Sequence, residues 1–102
     1  MASSIQHHPH DQQFSLQQDG HSAELAYSLP APGIIDFTHT FVDEGLRGKG
    51  LAQELARTAL AYARDQHLKV RTSCRFVAGY VQRHPEYQPL LDQAAKAPSA
   101  GR

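Results

Sequence analysis

Cysteine is almost missing from this chain of 102 residues: Cys74 stands alone, so no disulfide can close within it. A single thiol points to a reducing, cytoplasmic setting rather than an oxidising one. Charge of either sign is missing in excess, because ten Lys and Arg cancel ten Asp and Glu. A neutral chain without a basic stripe excludes the usual nucleic-acid and membrane-surface binders, and any anionic ligand must be held locally. No apolar run is long enough to span a bilayer or to read as a secretory leader. Internal repeats are absent too.

With 40% hydrophobic residues the chain has material for one modest core. Residues 1–12 are polar and rich in histidine, and 94–102 consist mainly of Ala, Pro, Ser and Gly, so both read as disordered tails around one domain at 13–93. His7, His8 and His10 have no carboxylate or cysteine at a ligand spacing, and no metal site is expected.

Within the domain the hydrophobic period changes. Phe14 and Leu16, then Ala23, Leu25, Tyr27 and Leu29, alternate with polar neighbours as half-buried strands do, and Asp19-Gly20 between them is a hairpin signal. Leu29 to Gly33 ends the second strand, and Ile34 to Val42 reads as a third. From Lys49 to Gln66 the period becomes helical, with Leu51, Leu55, Ala59 and Tyr62 in one row and Ala52, Ala56, Leu60 and Ala63 in the next. A short strand at Leu68 to Thr72 then lies parallel to the third through a right-handed crossover. Phe76, Val77, Tyr80 and Val81 mark a second helix, and Pro85 opens a last turn carrying Tyr87, Leu90 and Leu91. The fold class is α/β (α+β), in the order β-β-β-α-β-α plus a short C-terminal helix, on a mostly antiparallel sheet of about four strands.

The chemistry gathers at the handover from third strand to long helix, Asp43 to Ala52. Glycines let the backbone approach a ligand, and the first helical turn points unpaired N–H groups at it. Arg47 and Lys49 add positive charge there, so a diphosphate is the natural guest and a solvated glycine turn the alternative. A P-loop needs Ser or Thr where Gly50 follows Lys49, and a dinucleotide fingerprint needs glycine where Gln53 stands.

Arg47-Gly48-Lys49-Gly50-Leu51-Ala52 matches in full the coenzyme A signature of the GNAT superfamily: Gln or Arg, two residues, Gly, one residue, Gly or Ala. Downstream, Cys74-Arg75-Phe76-Val77 and Arg83-His84-Pro85-Glu86-Tyr87 resemble the C-terminal signature of a small, minimal GNAT-like family, and His39-Thr40 matches it on the third strand. The likeness spans roughly residues 13 to 91. It departs at Asp43 and Arg75, where that family commonly has proline.

The resemblance implies an N-acetyltransferase with acetyl-CoA as co-substrate. Its diphosphate would sit on Arg47, Gly48, Lys49, Gly50, Leu51 and Ala52, with its arm beside Phe41 and Val42 and its thioester near His39 or Cys74. Tyr80, on a helix facing the cofactor in such folds, is a further binding candidate.

For the transfer itself, which needs an uncharged amine, a donor for the oxyanion and an acid for the leaving thiolate, His39 and Cys74 are the catalytic candidates, Cys74 as acid or nucleophile. Against these roles stand a core histidine on the stripe of Ile35, Phe37 and Phe41, and a small buried apolar cysteine. Two functions follow from the same glycine turn: acetyl transfer to an amine, a protein or peptide lysine or a polyamine, and a non-catalytic module that only holds coenzyme A or acyl-CoA. The acceptor side should be open, and uncovered sheet edges allow a monomer or a weak homodimer.

Overall fold

The computed structural model describes residues 5–92. Five strands form one sheet in chain order: β1 (Gln6–His8), β2 (Gln13–Gln18), β3 (His21–Ala31), β4 (Ile34–Val42) and β5 (Lys69–Thr72). All neighbours pair antiparallel except β4 and β5, which run parallel as a strand-helix-strand crossover requires. The crossover helix is α1 (Leu51–Asp65); α2 (Arg75–Arg83) follows β5, and a 3₁₀ segment at Pro85–Leu90 closes the described chain.

Two hairpins follow from turn chemistry. Asp19 and Gly20 both take positive φ, 54° and 79°, as a tight two-residue turn between right-twisted strands requires. Pro32 and Gly33 link β3 to β4 with Gly33 at φ 79°, Pro supplying a fixed first φ and Gly the left-handed one. β3 therefore runs to Ala31, past the Leu29-Pro30 stretch expected to end it.

One face of the sheet is apolar and covered. Phe14, Leu16, Ala23, Leu25, Tyr27, Ile35, Phe37 and Val70 are all buried there, against Leu55, Ala56, Ala59, Leu60 and Ala63 of α1 and Val77 and Val81 of α2. Burying each large aliphatic or aromatic side chain contributes about 1.5–3 kcal/mol, so this layer dominates stability. The opposite face carries Ser15, Glu24, Ala26, Asp36, His39 and Phe41, none of them buried, and no described helix covers it.

Two expectations are corrected. Residues 1–12 were expected to be a disordered tail and the sheet to have about four strands; Gln6–His8 instead adds a fifth, because His7 has aromatic partners. Its ring stacks on Phe14 at 4.3 Å and meets Tyr62 edge-on at 4.5 Å, and its Nε2 lies 2.6 Å from the Tyr27 hydroxyl. The expected tail at 94–102 lies outside the described residues.

The second correction concerns β4. Tyr27 pairs with Phe37 and Ala26 with His39, leaving Thr38 as an extra residue in a β-bulge. Thr38 Oγ1 donates to the Ala26 carbonyl at 3.3 Å. One extra residue inverts the alternation beyond it. His39 and Phe41 therefore leave the stripe of Ile35 and Phe37 for the open face, and Thr40 and Val42 replace them on the covered face, opposite Leu25 and Ala23.

Candidate functional site

β4 and β5 stay paired only as far as Phe37 and Thr72. One further bond, Cys74 N–H to the Phe37 carbonyl at 2.8 Å, ends their contact as the chain turns into α2. β4 runs on to Val42, so from Thr38 onward its outer edge has no strand partner among the described residues. A gap begins where the pairing of the two strands ends. Thr40 and Cys74 border it on the covered side, and His39 stands on the open side.

At the far end of β4 the chain makes a 3₁₀ turn, Glu44–Leu46, capped by the Asp43 side chain accepting from Gly45 N–H at 3.4 Å. Leu46 is buried and anchors the turn in the core. Asp43 is also held from the side, its Oδ2 lying 3.2 Å from Nδ1 of His21 at the start of β3. The hydrogen bond from His21, and then that from Gly45 N–H, keep the Asp43 carboxyl below its ordinary range. The His21 ring packs over Gly45 so closely that any Cβ at residue 45 would collide with it. That contact accounts for a glycine at a position whose φ is not left-handed.

Gly48 and Gly50 serve differently. Their φ values, 81° and 74°, lie in the left-handed region, and nothing stands within 4 Å of where a Cβ would be. Conformation selects glycine at both, and the space above them is open. Gly50 is the N-cap of α1 and offers no side chain, so the first-turn amides of Leu51, Ala52 and Gln53 face outward uncapped. Beside them lies a hollow of about 300 Å³ lined by Val42, Leu46, Arg47, Gly48, Gly50, Leu51, Ala52 and Gln53. Arg47 folds back along it, its Nε donating to the Val42 carbonyl at 3.2 Å. Uncapped amides, the positive end of a 15-residue helix and the Arg47 guanidinium converge on this hollow, donors and charge of the kind that could hold an anionic group.

The structure gathers Val42, Arg47, Gly48, Gly50, Leu51 and Ala52 around this hollow. Lys49 is exposed in the same turn without lining it. Phe41 points to the open face of the sheet, 43% exposed. Tyr80 is buried, stacked on His84 at 4.1 Å and tilted against Tyr87 at 6.0 Å. Burial above all raises its phenol from the ordinary 10.0, so its hydroxyl stays protonated.

Of the catalytic candidates, Cys74 is the N-cap of α2 and 8% exposed, its Sγ 3.2 Å from Thr40 Oγ1. His39 is exposed, and the reading of a buried core histidine does not hold. The two candidates lie on opposite faces of the sheet rather than side by side. His21, which holds Asp43 and packs over Gly45, is a structural partner of the site that composition and spacing do not disclose. Among the described residues no group of three or more His, Cys, Asp or Glu is placed to hold a metal. His8, one of the N-terminal histidines, contacts Ser15 Oγ at 2.9 Å.

The family model for GCN5-related N-acetyl-transferase matches residues 13–90. Protein NATD1 of Mus musculus is 33% identical over 88 residues, covering 84% of this chain and 80% of that protein. The Homo sapiens NATD1 is 32% identical over the same length, with 84% and 78% covered. The NMR solution structure of a GCN5-like protein from Staphylococcus aureus superimposes with a TM-score of 0.71 at 25% identity, covering 87% of each chain. With its parted parallel strands and its glycine turn at the head of the crossover helix, the chain belongs to the GCN5-related N-acetyltransferase family.

Proposed function

We propose that this chain transfers the acetyl group of acetyl-CoA to an amine. The observation that carries the proposal is the uncapped start of α1 beside the glycine turn: backbone donors, open space and the Arg47 guanidinium converge on one hollow beside the end of β4. The diphosphate takes the amides of Arg47 to Ala52. The pantetheine arm follows the unpaired edge of β4 from Val42 back toward Thr40, which brings the thioester to the gap between β4 and Cys74.

The two faces of the sheet suit the two proton transfers. An uncharged amine entering from the open face attacks the thioester carbonyl carbon, and the bond from that carbon to coenzyme A sulfur breaks. His39 accepts the proton released by the amine nitrogen, and the Cys74 thiol protonates the departing coenzyme A thiolate before regaining a proton from solvent. Thr40 aligns the thiol by their hydrogen bond. The acceptor is a protein or peptide lysine or a polyamine, because nothing among the described residues encloses a small metabolite on the uncovered side.

The same openness favours one other reading, a module that binds acyl-CoA without transferring it, since no described wall orients an acceptor. Release of coenzyme A thiol from acetyl-CoA, measured with and without a panel of lysyl peptides and polyamines, separates the two. Amine-dependent release supports transfer; saturable acetyl-CoA binding with no release above the amine-free rate supports the binding module.

A further inference from the structure

Beyond the bulge, the open face of the sheet presents a patch that serves no packing purpose. Phe41 is 43% exposed, one of two large apolar side chains so displayed among the described residues. Directly across from it in register stands Glu24, and across from His39 stands Ala26. Residues so opposed have Cβ atoms about 4.5–5.5 Å apart, so carboxylate and ring are neighbours. On its other side Glu24 faces Ser15 of β2. Its carboxylate has no ion-pair or side-chain hydrogen-bond partner among the described residues, in contrast to Asp36, which accepts from Ser73 N–H and Oγ, and Asp43, which pairs with His21. Ala26 leaves the space beside the His39 imidazole free of cross-strand bulk.

We infer that this patch receives the acceptor, and that the acceptor is a lysyl side chain in a basic peptide segment lying across the open face. This rests on the acetyl-transfer reading above. The methylene stem of the lysine covers the Phe41 ring, its nitrogen reaches the gap beside His39, and a neighbouring basic side chain of the peptide meets the Glu24 carboxylate. A broad uncovered sheet face suits a polymer, which spreads its contacts, better than a free amine that would hold at one point. Glu24 is thus a specificity residue that contacts the acceptor and takes no part in the chemistry.

The test uses the full chain and two peptides differing only at the position two residues from one lysine, Arg in one and Glu in the other. Lysine acetylation by mass spectrometry gives kcat/KM, and isotope-edited NMR of the labelled protein with each peptide gives the binding footprint independently of turnover. The Arg peptide is expected to be preferred about threefold to fivefold, as an exposed ion pair supplies, and Glu24→Lys to reverse the order. Amide shifts are expected at residues 24–26 and 39–41, and acetyl-CoA affinity to stay unchanged in Glu24→Lys. A preference unaltered by Glu24→Lys, a footprint elsewhere, or a free diamine outrunning both peptides overturns the inference. Failure of acetyl transfer as such shows separately, as no amine-dependent release of coenzyme A.

Discussion

Thr40 Oγ1 lies 3.2 Å from Cys74 Sγ and ties β4 to the first turn of α2 across the place where β4 and β5 have parted. The contact exists because the bulge at Thr38 turned Thr40 onto the covered face. Without that extra residue His39 would face Cys74, and the two candidates proposed for proton transfer would share one side of the sheet. The bulge separates them, and Thr40 takes the position beside the thiol.

If Cys74 protonates the leaving thiolate, Cys74→Ala lowers turnover about 100-fold, the lower end of what a positioned acid contributes. Thr40→Val removes only the alignment, a neutral hydrogen bond worth about 1 kcal/mol, and lowers turnover about fivefold. Acetyl-CoA affinity is expected to stay unchanged in both. Steady-state kinetics beside a binding titration checks this; equal losses of binding and turnover would assign Cys74 to packing alone.

Gly50→Ala meets no neighbour but forces an L residue to a φ of 74°. The expected cost is about 1–2 kcal/mol of stability, or roughly 4–8 °C in melting temperature per kcal/mol for a domain of this size. Gly50→Asn should cost less, because asparagine tolerates the left-handed region. Thermal unfolding of the two variants decides it, and equal melting temperatures for wild type and Gly50→Ala would show that the turn does not demand glycine.

Gly45→Ala acts by collision. Its Cβ would enter the space of the His21 ring, so the pair is coupled. The variant should lose about 1–3 kcal/mol as overpacked sites do. Adding His21→Ala should restore most of that loss while giving up the contact to Asp43. A double-mutant cycle measures the coupling, and simple additivity of the two changes would contradict the packing argument.

His7 gives a dependence on pH. Desolvation by burial first, and His8 second, lower its folded-state value from the ordinary 6.5. The unfolded chain then binds a proton more readily than the folded one, so this contribution to stability is present above about pH 6.5 and is lost as pH falls through that value. His7→Phe keeps an aromatic ring on Phe14 and Tyr62 and removes the titration. The drop in melting temperature between neutral and mildly acidic pH should be smaller in His7→Phe than in wild type; parallel pH profiles would exclude His7 as its source.

The sequence and the structure agree where a local pattern meets a local cause. The alternation of Ala23, Leu25 and Tyr27, the two rows along α1 and the Asp19-Gly20 turn all depend on near neighbours, and each appears as written. The glycine turn was legible for the same reason, and five of its six matched residues line one hollow. Contacts distant in sequence were not legible. Strand β1 exists because His7 meets Phe14, Tyr27 and Tyr62, a cluster drawn from four segments. Nothing within Thr38-His39-Thr40 announces a bulge, so the faces of His39 and Phe41 came out inverted. The Cys74 partner, Thr40, is 34 residues away and follows from that same bulge.

The proposed transfer requires acetyl-CoA to lie on the Arg47 to Ala52 turn. Calorimetric titration of the full chain with acetyl-CoA, beside a variant carrying Gly48→Glu and Gly50→Glu whose fold is checked by circular dichroism, tests it most directly. Saturable binding by the wild type is expected, and its loss in the folded variant, since two carboxylates would stand where the diphosphate is proposed to sit. No saturable binding by the folded wild type, or equal binding by the variant, would contradict it.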